Sequence, residues 1–458
     1  MKNYIWGLFA VILFTGSGCK KFLDVNKNPN NPEDVQESLI LSPVEVAISD
    51  FISAGNAPII TQNYVQAIAA NQPNPNIGNY QLFNIDLDGD WFNVYVTCLN
   101  NLRILSNKGE KDSSYNYAGI AKILSAYTLG TATDLWGDIP YSKGFTGIDN
   151  LTPAYDKQED IYKTIQSLLS AGIADIAKNS IIVPGTDDFF YEGDMSKWTK
   201  LAYVLKARYF MHLSKVQGSV AADSVLEALN NGMESNDDDF AFKYKGTSGA
   251  ENPWFTTFGQ VTTYVMNATF VDWLKDRNDP RLSKIVKPAD STGLYTGRTI
   301  GTPTGILHDY SYPTAFYAGA SADNYLVNYS EALFLKAEAT LMKSGATSAQ
   351  PFYQEGIISH MQKLSVTQAN INTYLTTRGT LTTGNALQLI MEEKNVADFL
   401  NAENFVDWRR TGFPTLTKVD GAISEIPRRL LYPQSEILTN EQPQQTAKLT
   451  DRIWWDVQ

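Results

Sequence analysis

The stretch YSEALFLKAEATLMKSG (329–345), followed directly by ATSAQPFYQEGIISHMQKL (346–364), carries two helical stripes joined at one glycine. In the second half Ala349, Phe352, Tyr353, Gly356, Ile357, His360, Met361 and Leu364 recur at three- and four-residue steps, the period of one helix face. Gly345 stands where the first helix should stop, because a residue without Cβ can leave the right-handed region there. Ala332, Ala337, Ala339 and Gly356 are small enough to let the two helices approach closely. The prediction is an αα-hairpin.

The same period extends outward. Tyr117, Ile120, Ala121, Leu124, Tyr127 and Thr131 share a face in 117–131, and Trp198, Leu201, Ala202, Leu205, Tyr209 and Leu213 do so in 196–213. Further helices are expected at about 40–70, 90–107, 156–178 and 385–403, and strand-like alternation is scarce. The 329–364 hairpin resembles a degenerate tetratricopeptide unit, although no repeat holds a fixed period. Between 231 and 326 the chain turns rich in Gly, Ser, Thr, Asn and aromatics, with one helix expected near 268–276. Irregular segments of that length inside a compact domain are usually functional. The expected fold is mainly α, one helical domain over 36–458 with an irregular insertion at 231–326 that carries little β structure.

Hydrophobic residues make up 43% of the 458 and charged ones 19%, so a large core is available and global disorder is excluded. The net charge of −12, with no basic run, argues against nucleic acid and against an anionic membrane surface as a partner. The opening MKNYIWGLFAVILFTGSGC has an early Lys2, an apolar stretch and then small residues, which is a secretory signal rather than a membrane-spanning helix. Its end, Gly16-Ser17-Gly18-Cys19, resembles a bacterial lipobox, with Gly16 where leucine is usual. Residues 1–18 therefore read as a lipoprotein signal peptide, Cys19 as the lipidation site, and 19–35, rich in Asn and Pro, as a tether. Only Cys19 and Cys98 exist, so lipidation leaves no intrachain disulfide, and Cys98 falls in an apolar helical pattern as a small buried hydrophobe. His212, His308 and His360 are too scattered for a Cys/His metal site.

Two acidic clusters invite a chemical reading. In DLWGDIPYSK (134–143), Asp134 and Asp138 flank Trp136; on one helix face they would lie roughly 6 Å apart, near the separation of about 5–5.5 Å in a retaining glycosidase. Gly137 and Pro140 favour an exit from the helix instead, leaving the carboxylates to accept backbone N–H groups in a turn and Trp136 to anchor packing. In DLDGDW, Asp86, Asp88 and Asp90 alternate like the start of a calcium loop, but Trp91 stands where glycine is needed and Thr97 where a bidentate Glu is needed. A structural calcium is a weak expectation, and an Asp-rich turn capping the next helix the stronger one. Glu331 and Glu338, about 10 Å apart along a helix, suit buried helix–helix hydrogen bonds, and His360 suits a satisfied core histidine. No P-loop, Rossmann fingerprint or G-x-S-x-G occurs, and no catalytic residue is assigned.

Aromatics in the irregular segments fit no helix face. Sugar rings stack their CH faces on flat side chains while amides and carboxylates meet the hydroxyls. On that ground Tyr80, Phe83, Trp91, Trp254, Phe255, Tyr264, Tyr310, Tyr312 and Asn324 are the candidate ligand-binding residues, with Phe316 and Tyr317 nearby.

CKKFLDVNKNPN (19–30), DLWGDIPYSKGF (134–145), PAYDKQEDIYKTI (153–165), WTKLAYVLKARYFMHLS (198–214), NDPRL (278–282), YSEALFLKAEA (329–339), FVDWRRTGFP (405–414) and IPRRLLYPQSE (426–436) follow one another in the order of the SusD-like (RagB-like) outer-membrane lipoproteins. The resemblance runs from 19 to about 440. It implies a right-handed superhelix of tetratricopeptide-like hairpins, lipid-anchored in the outer membrane and facing the cell exterior. It further implies a non-catalytic role, in which a glycan, or alternatively a peptide, is captured and delivered to a SusC-like TonB-dependent transporter. A secreted glycoside hydrolase is the third reading. Lys20-Lys21 stand where an acidic surface-export signal is often seen, so exterior exposure rests on the resemblance. The matched motifs are scaffold: Arg409, Arg410, Arg428 and Arg429 read as internal ion pairs or transporter-facing groups, and the ligand residues belong to variable loops near 75–92 and 250–325.

Overall fold

A computed structural model describes residues 35–260, 263–441 and 446–458. The signal peptide, Cys19 and the tether up to residue 34 lie outside the described residues. In chain order the helices are α1 (Ser38–Ala47), which continues as a π-helix over Ile48–Ser53, and α2 (Asn56–Tyr64); then α3 (Asp88–Phe92), a π-helical stretch Asn93–Leu99, and α4 (Asn100–Lys111). They continue with α5 (Tyr115–Trp136), α6 (Gln158–Ile176), α7 (Met195–His212), α8 (Ser219–Leu229) and α9 (Ala268–Asp276). The last are α10 (Tyr329–Ser344), α11 (Ala346–Lys363), α12 (Gln368–Arg378), α13 (Ala386–Ala397), α14 (Glu403–Thr411) and α15 (Gln434–Thr439).

From α4 through α8, and then α10 and α11, each helix packs against the next, which is the hairpin array the stripes imply. The expected hairpin 329–364 is α10 and α11, broken at Gly345 with φ +81°. Glycines set how near the helices come. A Cβ on Gly119 would lie 2.8 Å from the Gly172 carbonyl oxygen, so α5 and α6 meet backbone to backbone, and one on Gly356 would strike the Phe334 ring at 2.8 Å. Helix starts carry the expected caps: Asp194 accepts the Ser196 and Lys197 N–H groups, and Asn328 accepts that of Glu331. The segment Ser38–Tyr64 is long and apolar enough to cross a membrane, but half of its most apolar window is buried against the rest of the fold.

Strand content is small, as expected. Three two-stranded antiparallel pairs stitch the insertion: β1 (Ile68–Ala70) with β3 (Tyr264–Met266), β2 (Phe240–Phe242) with β6 (Asn324–Val327), and β4 (Val286–Lys287) with β5 (Tyr312–Pro313). The β2–β6 pair closes the insertion at its base, and β1 ties it back to the first helices. The helix expected near 268–276 is α9.

The core carries charges, some in ion pairs and some held only by backbone carbonyls. Arg208 on α7 holds Glu331 on α10 with two 2.6 Å bonds, and Arg410 on α14 holds Glu338 together with Asp407 at 2.8 Å. Glu331 and Glu338 thus serve as partners of buried arginines, a stronger tie than the helix–helix hydrogen bonds expected. Arg409 donates to the Asp134 and Arg428 carbonyls, Arg429 to that of Trp136, and Arg428 to Asp456 at 2.5 and 2.6 Å. His360 lies between the Tyr317 hydroxyl (3.1 Å) and Arg281 (3.4 Å); burial and the Arg281 charge hold its pKa well below the usual imidazole range. Cys98 is fully buried, which pushes its thiol up to about 12.

Candidate functional site

An aromatic hollow forms where three distant segments meet: α3 and the π-helical stretch after it, the exit from α5, and α15. Helical spacing puts Trp91 and Tyr95 on one face, their ring centres 4.7 Å apart, while Phe92 turns outward and is 57% exposed. Gly137 ends α5 at φ +79°, so the chain turns back through Pro140 and brings Phe145 within 6.1 Å of the Tyr95 ring. Phe145 itself takes φ +60°, a left-handed conformation that a bulky residue adopts only under constraint. Arg103 lies over its ring at 5.8 Å. Together these walls enclose about 400 Å³, within the range of small-ligand sites.

The third wall is pinned by hydrogen bonds. Asp88 accepts from the Ser435 N–H (2.8 Å) and hydroxyl (3.0 Å), and Asn84 donates to the Tyr432 carbonyl at 2.6 Å. Glu436 accepts from the Tyr155 hydroxyl and from Asn440, each at 2.8 Å. Burial, reinforced by the Glu436 charge, holds the Tyr155 and Tyr95 phenols above their ordinary range, so both remain neutral donors. The Tyr95 hydroxyl donates to the Pro140 carbonyl at 2.8 Å. The hollow thus offers the exposed Phe92 and Leu151 and the half-buried Phe145 above a rim of Asp88, Asn100, Glu436 and Asn440.

Of the candidate ligand residues, Trp91 lines this hollow, mostly buried, and Phe83 is exposed on the approach to α3. The structure places the others away from it. Tyr80 and Trp254 are buried, Tyr80 edge-on to Tyr64 at 5.8 Å and Trp254 beside Phe258 at 6.1 Å; neither ring presents a face to solvent. Asn324 is buried as well, its amide donating to the Ser49 carbonyl and hydroxyl. Phe255, Tyr264, Tyr310 and Tyr312 are half-buried across the insertion and do not converge on the hollow; Tyr312 stands edge-on to Phe258 at 6.5 Å. Phe316 stacks on Tyr325 and Tyr317 is buried against His360. Sequence reasoning missed Phe92, Tyr95, Phe145, Glu436 and Asn440. The step of four from Trp91 to Tyr95 was the one visible signal.

The acidic clusters resolve into bracing. Asp90 accepts from the Ala57 N–H (2.9 Å) and Asn56 (2.8 Å), capping α2, while Asp86 accepts the Phe83 N–H and Asp88 accepts from Ser435. The three carboxylates point to three different elements, and among the described residues no group of three His, Cys, Asp or Glu could hold a metal. The expected cap is therefore on a preceding helix, not the following one. Asp134 corrects the turn reading: α5 continues to Trp136, and Asp134 is buried, accepting from the Tyr162 hydroxyl and from Trp455 Nε1 at 3.0 Å. Asp138 does accept a backbone N–H, that of Gln158 at 2.9 Å, and Trp136 is fully buried.

A larger hollow of about 630 Å³ lies between α6, α7 and Trp454. On its rim Lys163 pairs with Glu159 at 3.0 Å and the Gln166 amide donates to the Lys206 carbonyl at 3.2 Å.

Paired helices in register, an irregular insertion stitched on by short strands and an open aromatic hollow define a tetratricopeptide-like helical binding protein. The chain belongs to the SusD-like family: the family model described as "Starch-binding associating with outer membrane" matches residues 29–433. No curated protein matches the chain. Among solved structures it is similar to a chitin-binding protein at 26% identity, with 92% of this chain and 100% of that one covered at a TM-score of 0.81. A SusD/RagB family protein from Bacteroides thetaiotaomicron VPI-5482 shares the fold at 23% identity, 92% and 99% coverage and a TM-score of 0.82. A chitin-binding SusD homologue from Flavobacterium johnsoniae does so at 23% identity, 91% and 98% coverage and 0.76.

Proposed function

We propose that this protein captures an oligosaccharide in the hollow between α3, the α5 exit and α15, and passes it to a SusC-like TonB-dependent transporter without chemical change. The observation that carries the reading is the pairing of aromatic rings, the exposed Phe92 and the half-buried Phe145, with the carboxylates and amides of Asp88, Asn100, Glu436 and Asn440. Sugar CH faces stack on the rings and hydroxyls meet the rim, an arrangement that gives specificity at modest affinity. The family's description as starch-binding and the chitin-binding relative at 26% identity support a glycan over a peptide. Cys19, once lipidated, would hold the chain at the outer membrane, facing outward.

The test is calorimetric titration with starch-, chitin- and xylan-derived oligosaccharides and with peptide pools. Binding of at least one oligosaccharide is expected, weakened at least tenfold by Phe92→Ala and by Glu436→Gln, with the fold intact. Glycan binding indifferent to both substitutions moves the site elsewhere, and binding of peptides alone rejects the glycan.

A further inference from the structure

We infer that the loop carrying Ile181, Ile182 and Val183 is a membrane-contact element that seats the protein on the lipid surface beside its anchor. The inference rests on the proposed anchoring at Cys19. The three branched aliphatic residues are consecutive and 77%, 49% and 61% exposed, flanked by Asn179-Ser180 on one side and Pro184-Gly185-Thr186-Asp187 on the other. Runs of this kind facing water mark contact surfaces. The tip is also held in place: the Ile181 N–H donates to the Ser113 carbonyl (2.9 Å), the Ser180 hydroxyl to the Ile182 carbonyl (2.7 Å) and the Asn116 N–H to the Ser180 oxygen (3.2 Å). A loop fixed by three bonds presents its apolar side chains permanently.

Its position selects the occupant. The downstream limb of the same loop docks on α1, the first described helix, through Ser42 to the Asp187 carbonyl (2.7 Å) and the Phe189 N–H to Glu45 (2.6 Å). One turn earlier on α1, Leu39 is 64% exposed. The chain therefore leaves the Cys19 segment at the end of the molecule that carries the aliphatic tip. A tether from 19 to 35 spans at most roughly 55 Å, long enough to leave the body's orientation free. Aliphatic residues dipping into the headgroup boundary next to the anchor fix that orientation, since membrane attachment is secure when two signals act together.

The test uses the full-length chain, anchored in phosphatidylethanolamine–phosphatidylglycerol vesicles and carrying an environment-sensitive dye at Ile182→Cys, compared with a dye at the exposed Thr380→Cys. Cys98 is buried and stays unlabelled. The dye at 182 is expected to shift to the blue and to be quenched by lipids brominated on their acyl chains, while that at 380 does neither. Vesicle flotation with an unshifted dye at 182 overturns the loop contact and leaves the anchor standing. Failure to float with an unshifted dye overturns both. A shift without bromine quenching overturns the lipid as occupant and indicates a protein surface.

Discussion

Trp91 stands edge-on to Trp136, with ring centres 5.3 Å apart and planes at 90°. Trp136 ends α5, is fully buried, and donates its indole N–H to the Leu431 carbonyl at 2.8 Å. Through this contact the shared scaffold segment DLWGDIPYSK supports the floor of the hollow and ties it to the approach to α15. The glycosidase-like signal of Asp134 and Asp138 around Trp136 thus belongs to the frame on which the hollow is built.

Trp136→Phe keeps an aromatic ring but removes the N–H and part of the buried bulk, leaving the Leu431 carbonyl without its partner. A loss of about 1–3 kcal/mol in unfolding free energy is expected, the range for an orphaned buried acceptor. Ligand affinity should fall with it, although Trp136 touches no ligand, because the Trp91 ring loses its backing. Chemical denaturation and calorimetric titration on the same samples check this; unchanged affinity in a destabilised variant would separate frame from site.

Arg208 and Glu331 join α7 to α10 with both groups buried. Removing one partner leaves the other charged and dry, so Arg208→Met alone should cost about 3–5 kcal/mol. Pairing it with Glu331→Leu should restore much of the loss, since a packed apolar pair replaces the ion pair without desolvating a charge. A double-mutant cycle by denaturant unfolding reads the coupling directly.

The array of hairpins was legible in the sequence because a helix writes its burial pattern every three or four residues. Stripes at 117–131, 196–213 and 349–364 each lie within α5, within one residue of α7 and within one residue of α11. The irregular 231–326 segment was legible too, by its lack of period. For the same reason the faces of irregular segments were not: such a chain gives no register from which to tell an inward ring from an outward one, so Tyr80, in the 75–92 loop, and Trp254 read like ligand residues although both are buried. The hollow was hidden for another reason. Its walls come from 88–100, 140–153 and 435–440, and no local pattern announces that Asp88 will accept from Ser435.

His212 lies buried between Glu403 at 2.8 Å and Asp134 at 3.2 Å. Burial opposes its charge, but the two carboxylates outweigh burial and raise its pKa to about 9. A histidine raised in the folded state contributes stability that is complete below its unfolded value of about 6.5 and vanishes as pH climbs through about 9. Melting temperature should therefore decline over that window. His212→Gln should start lower and show a flatter profile there; an equal slope in both proteins would reject the assignment. Glu403, held well below the usual carboxylate range against the cost of burial by His212, Lys394 and Arg208, contributes the opposite limb, lost in acid.

Asp86, Asp88 and Asp90 accept from three separate elements, so calcium at millimolar concentration should leave the melting temperature unchanged, and chelator should do nothing. Asp90→Ala should cost about 0.5–2 kcal/mol through loss of the cap on α2, with calcium unable to restore it. A rise in melting temperature with calcium that Asp90→Ala abolishes would mean the carboxylates regroup around an ion.

Asp134 and Asp138 should part company under mutation. Asp134 accepts from Tyr162 and Trp455 and faces His212, all buried, so Asp134→Ala strands three polar groups and should be strongly destabilising, by more than about 3 kcal/mol. Asp138 is partly exposed; Asp138→Asn keeps the bond from the Gln158 N–H and loses only the exposed Lys157 at 2.7 Å, worth at most about 1 kcal/mol. A hydrolytic pair would show the reverse dependence, both substitutions removing turnover of a chromogenic glycoside at little cost in stability. Since α5 runs through Asp134 and ends before Asp138, and the first carboxylate is sealed from solvent by its own partners, the expectation is unequal stability and no turnover in any form of the protein.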